Sequence, residues 1–185
     1  RDGLFLGARQ LQKTDARGMD AGERMLINRT VEAAVLETSA RHILTEGLPY
    51  DRCQVGVVMA MPGASGLDDL YITDDDQLPN IVRTQVDVVL PQGAAVLNAD
   101  DAEVLELANY SDGQVILYSL DADSPSVAAH LSRLGRAVLA RGNDIVLAKA
   151  PARLGTVTWA DDGTLSIEID AATGATIDGE PRTHA

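Results

Sequence analysis

The sequence predicts an α/β fold, a mainly parallel sheet flanked by helices with β-hairpins near the C-terminus. Three observations point there. Apolar runs of strand length alternate with segments of helical spacing, the pattern of strand–helix–strand units. Hydrophobic residues make up 45% of the chain but aromatics only 3%, so the core falls to Val, Leu, Ile and Ala. These are the residues of strands buried under helices. After Ser124 the turn chemistry changes: Gly142-Asn143 and Asp161-Asp162-Gly163 separate short apolar runs, which is hairpin chemistry.

The elements follow in order. Gly3 to Gly7 reads as one strand of a short hairpin, and Gly22 to Thr30 has helical spacing. Val31 to Thr38 is mostly apolar, ends in Glu37-Thr38, and is expected as a central strand. Val55 to Met61 is a second strand, closed by Pro62-Gly63. Leu78 to Leu90 is expected as a helix with Pro79 in its first turn, where proline is tolerated. Ala94 to Leu97 is the third strand, Val104 to Ala108 lies on a helix, and Gln114 to Leu120 is the fourth strand. Ser124-Pro125 starts a helix that runs to Leu134 and stops at Gly135. Arg136–Arg141 pairs with Asp144–Lys149, and Thr156–Trp159 with Leu165–Ile169. Residues 1–150 are expected to form the α/β domain and 151–185 a hairpin with a frayed polar tail; 150–155 is the best linker candidate.

Bulk composition excludes several classes. The 185 residues suffice for one domain with a sizeable core. A net charge of -13 repels nucleic acid and anionic membrane, so neither is expected as a partner. No apolar stretch approaches the ~20 residues that span a bilayer. No signal peptide is expected, and the single cysteine, Cys53, suits a reducing cytoplasm. The start at Arg1 reads as the middle of a longer protein.

The candidate site is the run Ala94 to Asp101, where an apolar strand ends and Asn98, Asp100 and Asp101 appear together. In open α/β sheets ligands bind at the carboxyl ends of strands. Against this stands the commoner role of Asp100 or Asp101, capping the next helix. Other residues carry less. Cys53 has no base near it in sequence and reads as a structural thiol. His42, just past the strand that ends at Glu37, is a candidate metal ligand, against a surface position on a helix. His130 and His184 do not cluster. Asp74-Asp75-Asp76 lacks the twelve-position calcium pattern and reads as a loop capping the Leu78 helix. Glu103 and Glu106 read as a wetted helix face. Ser65 lies in an incomplete nucleophile-elbow pattern.

The order of these segments resembles the central, Mur-ligase-like region of the cyanophycin synthetases. Glu32-Ala33-Ala34-Val35-Leu36-Glu37-Thr38, Ile43 through Cys53 with its Glu46-Gly47-Leu48-Pro49-Tyr50-Asp51-Arg52, and Val96 through Asp101 carry the match. It covers about the first four-fifths of the chain, weakly around Pro125–Ala148, and ends at Pro151. The resemblance implies an ATP-dependent ligase that builds an aspartate backbone bearing arginine, through an acyl phosphate. It implies ATP and magnesium as cofactors, with Glu37 holding the metal and Asn98 and Asp101 touching the nucleotide.

Departures from the family run through the same stretch. No Gly-Lys-Thr phosphate loop is present, Met59-Ala60 replaces a Thr-Asn pair, and Ser65-Gly66 replaces Asp-His. Ser39-Ala40-Arg41-His42 stands for Ala-Arg-Gly-Gly, and Val82 for a lysine. The expectation is a degenerate nucleotide site, holding no ATP or magnesium in this segment, in a structural or oligomerising role. The alternative is part of an active ligase whose phosphate loop lies upstream of residue 1. A free-standing binding module fits the long matched order less well. Expected partners are the remaining domains of the same protein, a paralogous synthetase, or further copies in a homo-oligomer.

Overall fold

In a computed structural model, the apolar runs from Cys53 onward pair into one sheet. The structure describes residues 3–6, 8–13, 18–142, 144–149, 152–159 and 165–169. Residues 160–164, expected as a turn, and those after Ile169, expected as a frayed tail and including His184, lie outside the described residues.

A two-stranded hairpin comes first, β1 (Leu4–Leu6) against β2 (Arg9–Gln12). Helices α1 (Met19–Leu26) and α2 (Ala40–Thr45) follow. The main sheet holds seven strands in sequential order: β3 (Cys53–Val58), β4 (Val89–Asn98), β5 (Gln114–Ser119), β6 (Arg136–Arg141), β7 (Asp144–Lys149), β8 (Ala152–Trp159) and β9 (Leu165–Ile169). The first four run parallel and the last three add antiparallel. The α/β class with C-terminal hairpins is therefore borne out. Residues 152–155, read as linker, instead begin β8 and pair with β7.

Between the parallel strands run α3 (Leu78–Val82) with α4 (Thr84–Asp87), then α5 (Ala102–Glu106), then α6 (Pro125–Ser132). Parallel strands in sequential order, joined by right-handed crossovers, receive every helix on the same face. The core has that form. Val82, Val86, Val104 and Val127 from the helices pack on Val58, Leu97, Leu117, Ala137 and Leu139 from the strands. The alternate residues point the other way and are less covered: Val55 and Val57 are exposed, and Val96, Ile116 and Val138 are half-buried.

Two expectations need correction. Val31 to Thr38 is not a strand: it makes no ladder, and Val35 is fully exposed. A strand is held by its neighbours, and a run rich in Ala33 and Ala34 has little to bury against β3. The segment is held near its two ends, where Val31 N–H donates to Asn28 O, Leu36 meets Gly22 and Ser39 caps α2. The strands ending at Glu37, Met61 and Asn98 are thus not three neighbours; only the last two are. The helix expected over Leu78–Leu90 is broken at Arg83, and Val89 and Leu90 open β4 instead. Cys53 N–H donates to Val88 O at 2.9 Å and draws that apolar run into the ladder. Pro91, which has no N–H to offer, sits where the register shifts between Cys53 and Val55.

Close packing of α4 on the sheet demands a glycine at 56. A Cβ there would lie 2.5 Å from Gln85 O and 2.9 Å from Val89 Cγ2. Gly56→Ala is expected to lower the unfolding free energy by about 1–3 kcal/mol, the usual cost of overpacking, read by urea denaturation. A Gly66→Ala control is strained too, by its φ of 80°, but meets nothing within 4 Å. A Gly56→Ala protein as stable as the parent would contradict this packing.

Candidate functional site

The carboxyl ends of β3, β4 and β5 come together, and the polar residues there bind backbone. Asp101 begins α5 as its N-cap: Oδ1 accepts from Glu103 N at 3.1 Å and Val104 N at 3.2 Å. Its Oδ2 accepts from Met61 N at 2.9 Å, tying the exit of β3 to the start of α5. Asn98 works beside it. Its Nδ2 donates to Met59 O at 2.9 Å and its Oδ1 accepts from Asp100 N at 3.0 Å. Asp100 reaches the next strand, accepting from Ser119 Oγ and from Leu120 N, the latter at 2.8 Å.

Tyr118 is the member of this cluster that sequence reasoning missed. Its hydroxyl donates to Met59 O at 3.2 Å. Burial first, then the charges of Asp100 and Asp101, push the phenol pKa up. Nothing along the chain marks it: Tyr118 joins through strand register, standing beside Asn98 on the neighbouring strand.

Asn98 and Asp101 are therefore brought together, as expected from one strand end. Glu37 has other surroundings. It lines a narrow crevice with Gly18, Gly22, Leu36, Thr38, Pro49 and Tyr50. His42 lies on α2, where its Nδ1 is 2.7 Å from Ser39 Oγ and its N–H donates back to that hydroxyl at 3.3 Å. This is a helix cap, reinforced by the ring. Among the described residues no three His, Cys, Asp or Glu side chains converge to hold a metal ion. Burial raises the Cys53 thiol pKa, which keeps it protonated and a poor nucleophile.

Other sequence candidates also find structural partners. Asp75 Oδ1 accepts from Ala64 N at 2.7 Å and Asp74 caps a 3₁₀ turn ahead of α3, so the acidic run organises its own loop. Arg41 forks onto Asp69, at 2.9 and 2.6 Å, and onto Gly66 O, joining α2 to the same loop. His130 sets Nε2 3.1 Å from Val115 O, linking α6 to β5. Glu103 and Glu106 line a cleft of about 270 Å³ with Arg83 and Tyr110. The Arg83 guanidinium stacks 4.0 Å from the Tyr110 ring centre and pairs with Asp87 at 3.0 Å. No helix among the described residues is long and apolar enough to cross a membrane.

No family model matches the chain. Individual proteins do. A cyanophycin synthetase from Synechocystis sp. is 35% identical over 141 residues, 75% of this chain and 16% of that protein. Cyanophycin synthetases from Geminocystis herdmanii and Crocosphaera subtropica are each 34% identical, over 141 and 139 residues, with the same shares of 75% and 16%.

This chain is a relative of the cyanophycin synthetases. The kinship concerns a segment, since the match spans only 16% of the length of those synthetases. Within that synthetase-like segment, the strand-end residues hold three strand exits in place.

Two outcomes follow. Asp101→Ala removes a cap and the anchor of Met61 N, and is expected to cost about 1–2 kcal/mol of stability in chemical denaturation. Asp101→Asn keeps one acceptor oxygen for the cap while losing the acceptor for Met61 N, and is expected to cost less than Asp101→Ala. Second, Arg41 holds the Asp69 carboxyl below its ordinary pKa, chiefly by the hydrogen bond. A depressed carboxylate adds stability above its unfolded pKa and loses it as pH falls through the folded one. The stability gap between the parent and Asp69→Asn is thus expected at neutral pH and should close in acid; a gap that persists there would exclude this ion pair as its source.

Proposed function

We propose that this chain is a structural or oligomerising segment of a cyanophycin-synthetase-like protein, with its own nucleotide site degenerate. The observation that carries the reading is the engagement of the two residues that resemblance assigns to the nucleotide. Both Asn98 polar atoms and both Asp101 carboxylate oxygens already serve backbone groups of Met59, Met61, Asp100, Glu103 and Val104. Taking up a ligand there would strip partners from partly buried backbone N–H groups, which is costly.

The donor set does not fit magnesium-ATP either. Magnesium wants several oxygens in octahedral array, beside phosphates cradled by backbone amides and a lysine. Glu37 lines its crevice with Gly18, Pro49 and Tyr50 rather than with further carboxylates. His42 is tied to Ser39. Met59, Ala60 and Val82 offer no polar side chain where the family has Thr, Asn and Lys. The ligase activity of the named relatives thus comes to this chain only as ancestry. On this reading the partners are the other domains of a longer synthetase-like protein, a paralogous synthetase, or further copies, in the cytoplasm.

Calorimetric titration of the 185-residue chain with magnesium-ATP tests this. The expected result is no saturable binding at micromolar ligand and no change on Glu37→Ala. Micromolar binding that Glu37→Ala abolishes would return the chain to the working ligases.

A further inference from the structure

The chain has four methionines, and the fold treats them differently. Met59 and Met61 follow β3, two residues apart. Met61 is half-buried and packs against both hydrophobic clusters, with its N–H anchored on Asp101 Oδ2 at 2.9 Å. Met59 is 71% exposed and belongs to neither cluster. Met19 and Met25, on α1, are half-buried. Met59 is therefore the thioether most open to solvent. Its backbone is nevertheless fixed: Met59 O accepts from Asn98 Nδ2 at 2.9 Å and from Tyr118 Oη at 3.2 Å. Donors on β4 and β5 thus hold the exit of β3, so the exposure of Met59 belongs to the folded state.

We propose that Met59 is a site of oxidative modification, converted to the sulfoxide by small peroxides ahead of the other three methionines. The susceptibility of a thioether follows its exposure. The sulfur lone pair attacks one oxygen of the peroxide. An S–O bond forms and the O–O bond breaks; sulfur is oxidised and the peroxide reduced. The proton on the transferred oxygen passes to the departing hydroxide, which leaves as water.

The product offers a different surface. A flexible apolar side chain becomes polar and chiral. The change falls at the end of a strand whose Val55 and Val57 are exposed, on the residue whose carbonyl gathers Asn98 and Tyr118. Since Met59 packs in neither cluster, oxidation alters the polarity of the strand-end surface and leaves the core contacts intact. The proposal stands whether or not the nucleotide site works, and its test involves no nucleotide.

Treatment of the full 185-residue chain with hydrogen peroxide reads it, followed over time by peptide mass spectrometry, with fragmentation separating Met59, Met61 and Cys53. The expected result is a fast gain of one oxygen at Met59, at least about tenfold ahead of Met61, with the circular dichroism unchanged. Met59→Leu is expected to remove the fast step and leave the slow ones. In concentrated urea the preference is expected to collapse, because the unfolded chain exposes every thioether alike. Oxidation of Met19, Met25 or Met61 as fast as Met59 in the folded chain overturns the proposal. So does a fast methionine step that survives Met59→Leu, or a preference for Met59 that persists in urea.

Discussion

Sequential strand order in the parallel half of the sheet is the constraint on which the other features depend. Each crossover from β3 to β6 returns to the neighbouring strand, and right-handed connections then deliver α4, α5 and α6 to one side. The main core is consequently a layer of contact of helix on sheet, Val86, Val104 and Val127 on Leu97, Leu117 and Leu139, beside a smaller cluster of Ala40, Ala64, Leu67, Ile72 and Leu78. Backbones must come close for that layer to close. At Gly56 the backbone of α4 leaves no room for a Cβ, and at Gly113 a Cβ would lie 2.7 Å from both Gly93 O and Leu90 O. These glycines are needed for approach, not for an unusual φ.

The same order brings the carboxyl ends of β3, β4 and β5 side by side, and the chain must leave all three at once. Backbone N–H groups released from a ladder need new acceptors. Asp101 accepts from Met61, Glu103 and Val104; Asp100 accepts from Leu120 and Ser119. Two carboxylates and one amide therefore tie the exits of the strands together. A strand end is where α/β proteins bind ligands because such polar groups gather there. In this chain the gathered groups turn inward to the backbone.

Much of the fold was legible along the chain. β5, α6 and the β6–β7 hairpin fall where periodicity, Ser124-Pro125 and Gly142 place them. The stop of α6 is visible too: Leu134 takes φ 64° and Gly135 N–H returns to His130 O at 3.1 Å. The misses share a cause. Val31–Thr38 and Val88–Leu90 are apolar runs whose local pattern fits more than one state. Only a neighbour decides between them: Cys53 recruits Val89, while no strand among the described residues pairs with Val35. Asn98 and Asp101 were legible as a pair, but Tyr118 entered their cluster through register across strands.

What the sequence determined by itself was local and periodic: an α/β chain, its helix starts and hairpin turns, its acidic charge, and the ordered segments that tie it to the cyanophycin synthetases. Those properties rest on contacts within a few residues or on a linear match, so they need no fold. The tertiary structure decided the rest. It chose which apolar runs found ladder partners, set the core-forming helices among the described residues on one sheet face, and separated the surroundings of Glu37 from those of Asn98. It also turned Asp101 to Met61, forty residues away in sequence. Each of these depends on long-range pairing, whose free energy exists only once distant strands have met.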